Sequence, residues 1–259
     1  MKLVFLGTGT SFGVPQIGCG CDVCRSPDPR DKRSRVGALV ETESGARILI
    51  DTPTELRLQL IAAGVDSVDA VFFTHDHADH VHGIDDLRAL SVRRNGPIDM
   101  YGPPDTMDRL ARRFAYIFDE AIRPAPGTSK PEGRAHSIEP GQTLSVGGAM
   151  VKAVALPHGS ISVYGYRIGK LAYVTDAKEL PDEAVKAFRG ASVLVLNALL
   201  RSEHPGHFSI SEAVRAAKLI GARQTYLTHL THHNSHAALE AELPAGIAPA
   251  YDGLAVSID

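Results

Sequence analysis

"FFTHDHADHVHG", residues 72–83, places His75, Asp76, His77, Asp79, His80 and His82 directly behind the apolar run DAVFFTH at 69–75. The run reads as a buried strand, and the segment after a strand end is where functional side chains concentrate. Imidazole and carboxylate donors suit zinc, manganese or iron. In a tightly turning segment His75 and His77 point to one ion, while Asp79 and His80, past the bend, reach a second. The spacing therefore implies two metal centres.

Outward from this loop, the N-terminal half alternates apolar runs with turn signals: KLVFLG (2–7), VGALVET (36–42) and ARILIDT (46–52) read as strands. PTELRLQLIAAG opens on Pro53 and closes on Gly64, which punctuates a helix at both ends. Further on, MVKAVALPH, VYGYRIG, KLAYVTD, SVLVLNAL and QTYLTHL read as strands. Helices are expected near 82–93, 103–115, 181–189 and 209–220, the last opened by the capping box Ser209-Ile210-Ser211-Glu212. This order predicts two packed sheets covered by helices on both outer faces. Residues 119–148, rich in Pro, Gly and Arg, read as an insertion or flap.

The motif His75-Asp76-His77-Ala78-Asp79-His80 resembles the H-x-H-x-D-H signature of the metallo-β-lactamase superfamily. The resemblance implies an α/β fold, the αββα sandwich of two mixed sheets flanked by helices, over 1–259 as one domain. It also implies three further ligands, each matched at a predicted strand end: His158 after VKAVALP, Asp176 after KLAYVT and His229 after QTYLT. By that resemblance His75, His77 and His158 hold one ion, Asp79, His80 and His229 the other, and Asp176 bridges them. Asp51 in ILIDT matches the aspartate behind the histidine loop. Two such ions activate a shared hydroxide for hydrolysis of a phosphoester, with Asp79 orienting the nucleophile.

A leaving oxygen needs a proton, and RSEHPGHFSISEA (201–213) carries two histidines immediately before the capped helix. His207 is the preferred general acid and His204 the competitor. Gly7-Thr8-Gly9-Thr10-Ser11 reads as a turn shaping the first strand's end. Arg109, Arg112, Arg113, Arg123 and Arg134 read as solvated surface, and His136 and His236 as structural.

All three cysteines fall in GCGCDVC (18–24). Cys19, Cys21 and Cys24 would make three quarters of a Cys3His zinc site, with His232 of THLTHH (228–233) as the fourth ligand; the alternatives are His233 or a cysteine loop that is merely reduced and buried. The GTGTS start, the Cys-rich loop at about 18–35, the intact motif and the H-x-x-H ending together look like the cyclic phosphodiesterases related to the phosphoribosyl 1,2-cyclic phosphate phosphodiesterase. That likeness implies two Mn2+ or Zn2+ in the active site, one structural Zn2+, His207 as general acid and a homodimer.

The 259 residues are 44% hydrophobic and 22% charged, with a net charge of −3. That balance supplies no global basic field, so a small phosphorylated substrate is expected in place of a nucleic acid polymer. MKLVFLGTGTSFGVP has too short an apolar run for a signal peptide or membrane span, which predicts a cytoplasmic protein. Two other readings compete. A tRNA 3′-processing endonuclease shares the histidine motif but wants a basic arm. A non-hydrolytic accessory protein of pyrroloquinoline quinone assembly shares the cysteine loop but has no need of two open metal sites. Thioester hydrolysis is a third possibility within the superfamily.

Overall fold

The computed structural model describes residues 1–259. Fourteen strands divide into two seven-stranded sheets. The first contains β1 (Lys2–Gly7), β2 (Gly37–Glu41), β3 (Arg47–Ile50), β4 (Ala70–Phe72), β5 (Ile98–Gly102) and β6 (Gly133–Ser137). The second contains β7 (Thr143–Val146), β8 (Ala149–His158), β9 (Ile161–Ile168), β10 (Leu171–Tyr173), β11 (Val193–Asn197), β12 (Gln224–Thr228) and β13 (Ile247–Pro249). A last strand, β14 (Ala255–Ser257), returns to the first sheet beside β1. The spatial orders are β14-β1-β2-β3-β4-β5-β6 and β13-β12-β11-β10-β9-β8-β7.

The period-two side-chain alternation of strands builds the layers. Ile48, Ile50, Phe72 and Val195 point into an intersheet core with Phe5, Tyr166 and Tyr173. Their neighbours Leu49, Val71 and Phe73 face the opposite way, onto Leu56, Leu60, Leu90 and Leu110. Leu194 and Leu196 likewise meet Phe188, Ala213 and Ala217. Three apolar layers thus separate four layers of structure, the expected two-sheet sandwich with outer helices.

Nine helices fill the outer faces and connections: α1 (Asp22–Arg25), α2 (Leu56–Ala62), α3 (Ala78–Val81), α4 (Arg88–Arg94), α5 (Pro104–Arg113), α6 (Ala115–Phe118), α7 (Asp182–Phe188), α8 (Ile210–Ile220) and α9 (His236–Glu242). The helix expected near 82–93 is divided into a 3-10 turn at Ile84–Leu87 and α4. No helix is long and apolar enough to cross a membrane.

The flap expected over 119–148 is corrected. Its second half forms β6, parallel to β5, and β7, antiparallel to β8, so it supplies one edge strand to each sheet. Edge strands are short and polar where they face solvent, and so lack the apolar run that betrays a central strand. His136 sits on β6 and pairs with Asp99 at 2.8 Å.

Between β1 and β2 the chain passes close to the second sheet. Leu230 N donates to Thr8 O (2.9 Å) and Thr10 N to Leu230 O (3.2 Å), which stitches the GTGTS turn to the strand end carrying His229. A β-carbon on Gly7 would run into the Arg35 carbonyl oxygen, so glycine is required there for backbone proximity.

Candidate metal centre

Strand ends deliver the site. β3 and β4 are parallel, as are β10, β11 and β12, and their carboxyl ends carry Asp51, the histidine loop, Asp176 and His229. His158 is the last residue of β8. Asp51 (φ 61°), Asp176 (φ 58°) and His229 (φ 59°) all adopt the left-handed conformation. That region is costly for residues with a β-carbon, and such cost concentrates where side chains must be aimed. The fourth non-glycine residue of this kind, Asn95, ends α4 as an ordinary helix cap.

Within the loop, His77 is the N-cap of α3, and Asp79 and His80 lie on its single turn. The turn is pinned to the β3 end: Thr52 N donates to His80 O (2.7 Å) and Gly83 N to Thr52 O (2.9 Å). Gly83 passes so close to the Pro53 carbonyl that a β-carbon could not fit.

Donor atoms of His75, His77, His158 and Asp176 lie within 4.8 Å of one another. Those of Asp79, His80 and His229 form a second such group, and Asp176 groups again with His207 and His229. The Asp176 carboxylate stands between them, 3.4 Å from His80 Nε2 and from His229 Nε2 and 3.8 Å from His75 Nε2. The sequence-predicted ligands are therefore assembled in one place.

Buried partners orient the imidazoles. Asp51 accepts from His80 Nδ1 at 2.8 Å and also from Thr74 N (2.8 Å) and Thr74 Oγ1 (2.9 Å). His158 Nδ1 donates to Gly206 O at 2.6 Å, and His75 Nδ1 meets Thr74 Oγ1 at 3.0 Å. Each ring thereby turns Nε2 inward, as a histidine ligand with a fixed tautomer does.

Burial pushes the His75 and His229 imidazoles below their ordinary value. It also opposes charge on His80, but Asp176 and Asp51 outweigh it and raise that imidazole well above normal. Burial likewise opposes the Asp176 carboxylate, which His229 and His80 nevertheless hold well below its ordinary value.

Do these residues fit metal ions? The buried Nε2 atoms of His75, His80 and His229 have no hydrogen-bond partner. Unsatisfied buried polar atoms are costly, and here they converge on two carboxylates. A nitrogen and oxygen set of this kind fits divalent cations such as zinc or manganese.

His207 is buried on the far side of this cluster, its ring centroid 4.6 Å from that of His158 and 4.8 Å from that of His229. Burial pushes its imidazole down to about 3. His204 lies behind it, 5.1 Å ring to ring, with Nδ1 accepting from Gly206 N at 3.2 Å. The segment is docked by Phe208 N donating to Ala177 O (3.0 Å) and Leu199 N to Phe208 O (2.9 Å). The expected capping box then starts α8, with Ser209 and Glu212 in reciprocal hydrogen bonds.

Two positioning groups escaped the sequence reading. Asn197 at the end of β11 bonds both N and O of Ala177 (2.9 and 3.0 Å), fixing the residue after Asp176. Its signal is a polar residue ending the unbroken apolar run VLVL. Arg109 and Arg113 correct the expectation of merely solvated arginines, because both hold Asp76 inside the histidine loop. Arg112, Arg123 and Arg134 do lie exposed.

Three residues beyond His229, His232 gathers its donor with those of Cys19, Cys21 and Cys24 within 4.8 Å. His232 Nδ1 is 3.2 Å from Cys19 Sγ and 3.5 Å from Cys21 Sγ, whereas His233 lies exposed beside it. The Cys24 backbone N–H holds the Cys21 thiol down at about 6, and burial pushes Cys24 up to about 11. Three sulfurs and one nitrogen at this spacing fit a tetrahedral zinc site.

Two stacked mixed sheets with a histidine and aspartate centre at their strand ends define a metallo-β-lactamase-fold hydrolase, and the model of the beta-lactamase superfamily domain matches residues 46–230. A crystal structure of a diphosphatase from the PhnP family superposes with a TM-score of 0.91 at 37% identity, covering 100% of this chain and 98% of that one. The chain belongs to the PhnP family of that superfamily.

Among curated relatives, an octanoyltransferase of Porphyromonas gingivalis is 39% identical over 100% of this chain and 52% of its own length. A ribonuclease Z of Bradyrhizobium sp. is 30% identical over 64% of this chain and 48% of its own length. The chain thus spans about half the length of these two relatives.

Proposed function

We propose that the protein is a metal-dependent phosphodiesterase acting on a small cyclic phosphate ester, such as phosphoribosyl 1,2-cyclic phosphate or a related cyclic nucleotide. The observation that carries this reading is the two-lobed donor cluster, with Asp176 between its lobes and a separate buried histidine, His207, at its edge. The 37% identity with a PhnP-family diphosphatase supports hydrolysis at phosphorus.

His75, His77 and His158 would hold one Mn2+ or Zn2+, and Asp79, His80 and His229 the other, with Asp176 shared. When bound, such ions lower the pKa of water and neutralise phosphoryl oxygens. The chain's own residues do the rest. Asp51 keeps His80 in one tautomer and Gly206 O does so for His158, and Asp79 would orient the attacking water. The water gives up a proton and its oxygen bonds to phosphorus as one phosphoester bond breaks; burial alone disfavours a charged His207, so the anionic phosphate bound beside it and Asp176 must favour the proton that His207 then gives to the departing oxygen. His207 is preferred to His204 because it alone of the two touches His158 and His229.

The test is metal analysis of the purified protein with an assay on ribose 1,2-cyclic phosphate, 2′,3′-cyclic nucleotides, bis-p-nitrophenyl phosphate, a diphosphate ester, a tRNA precursor and an octanoyl thioester. Turnover of cyclic phosphates is expected. Cleavage of the tRNA or the thioester alone would overturn the reading, and no turnover at all would favour the accessory-protein role. For His207→Ala, the expected loss is about 10²–10⁴-fold on substrates with a poor leaving group. On p-nitrophenyl esters the loss should be much smaller, whereas equal losses would assign His207 a purely structural role.

A further inference from the structure

Asp76 lies between His75 and His77, yet its carboxylate turns away from the donor cluster. Arg109 Nη1 donates to Asp76 Oδ1, Arg113 Nη2 to Asp76 Oδ2 and Arg113 Nη1 to the Asp76 carbonyl oxygen, each at 3.0 Å. Both arginines are on α5 and are substantially exposed, but the Asp76 side chain is only 10% exposed. A single exposed ion pair contributes little. Here both carboxylate oxygens and the backbone are engaged together, and the Arg113 fork spans side chain and main chain of one residue.

The neighbouring rings show what this grip is for. His75, His80 and His158 each have a partner on Nδ1: Thr74, Asp51 and Gly206 O. His229 also lacks a partner on Nδ1 but is held by burial, whereas His77 is exposed and no protein group hydrogen-bonds its ring. Its aim must come from the backbone on either side, where α3 begins after it and Asp76 precedes it. Asp76 is also a carboxylate one residue from two ligands, hence a competing donor unless its oxygens are occupied.

We propose that Asp76 is a positioning residue, gripped by Arg109 and Arg113 so that His77 is aimed at the metal centre and the Asp76 carboxylate is withheld from it. This rests on His75 and His77 being ligands and is independent of the substrate.

The experiment loads the full chain with Co2+ and compares Asp76→Asn, Arg113→Gln, the double variant and Arg113→Lys by visible absorption, chelator competition, kcat and KM, and thermal unfolding. Either single change should weaken cobalt binding at the histidine site by roughly tenfold and alter its absorption band, with the cysteine-site metal retained. The double variant should be no worse than either single change, since the groups act as one unit. Arg113→Lys should recover only part, because an ammonium cannot reproduce the fork. An unchanged cobalt spectrum and affinity with only a lower unfolding temperature would overturn the proposal, as would additive losses. Wild-type protein that takes up cobalt at the cysteine loop alone would overturn the histidine metal centre itself.

Discussion

Asp51 makes no direct approach to the shared space of the site, yet it governs His80. It is fully buried, left-handed in backbone and accepts three hydrogen bonds. Asparagine tolerates the same backbone region, so Asp51→Asn should keep the loop's path while losing the charge that fixes the His80 tautomer. The expected outcome is metal affinity about 10–100-fold weaker with little change in secondary structure, measured by chelator competition and circular dichroism. Asp51→Ala removes one partner of a buried pair and should cost about 3–5 kcal/mol, read from the urea midpoint.

At the scale of elements, α8 and the segment before it present His207. Glu212 closes the capping box and also pairs with Lys178 at 2.8 Å. Burial alone would raise its carboxyl, but the Lys178 and Ser209 hydrogen bonds hold it at about 2 against an ordinary 4.5. Folding therefore favours the ionised form. The stabilisation is complete above pH 4.5 and is lost as pH falls towards 2. Glu212→Gln should flatten the acid limb of a stability–pH curve in that window; a limb of unchanged slope would remove Glu212 from the account. Ser209→Ala should cost about 1 kcal/mol in thermal unfolding.

Legibility also divides at this scale. The histidine loop and the cap of α8 were readable because each is a local pattern, whereas His158, Asp176 and His229 followed from the family resemblance, each matched at a strand end. The edge strands β6 and β7 were not, since exposed edges carry no apolar alternation. The α5 grip on Asp76 was not either. It joins residues 33 and 37 positions apart through side chains that on a helix usually face only water. Left-handed backbone at Asp51, Asp176 and His229 has no sequence signal beyond the residue type.

For the whole molecule, the cysteine loop joins segments far apart in sequence. Cys19 and His232 are 213 positions apart, and His232 lies three residues beyond His229. A zinc held there would staple the N-terminal loop to the strand end that carries His229. Cys21→Ser should remove one zinc per chain, lower the unfolding temperature and weaken the His229 lobe secondarily. Metal analysis that still counts the same zinc would refute the staple.

The stitching of Thr8 and Thr10 to Leu230 bears on the order in which the protein is made. A nascent chain emerges N-terminus first, so His75 to His80 are exposed to cellular ions long before Asp176 and His229 exist to complete either lobe. The first sheet also waits, because β14 is made long after the β1 strand that it pairs with. Pairings this distant are slow to close, since loop entropy is lost before contacts are gained. The donor cluster is thus completed late in folding, once the second sheet has formed beside the histidine loop.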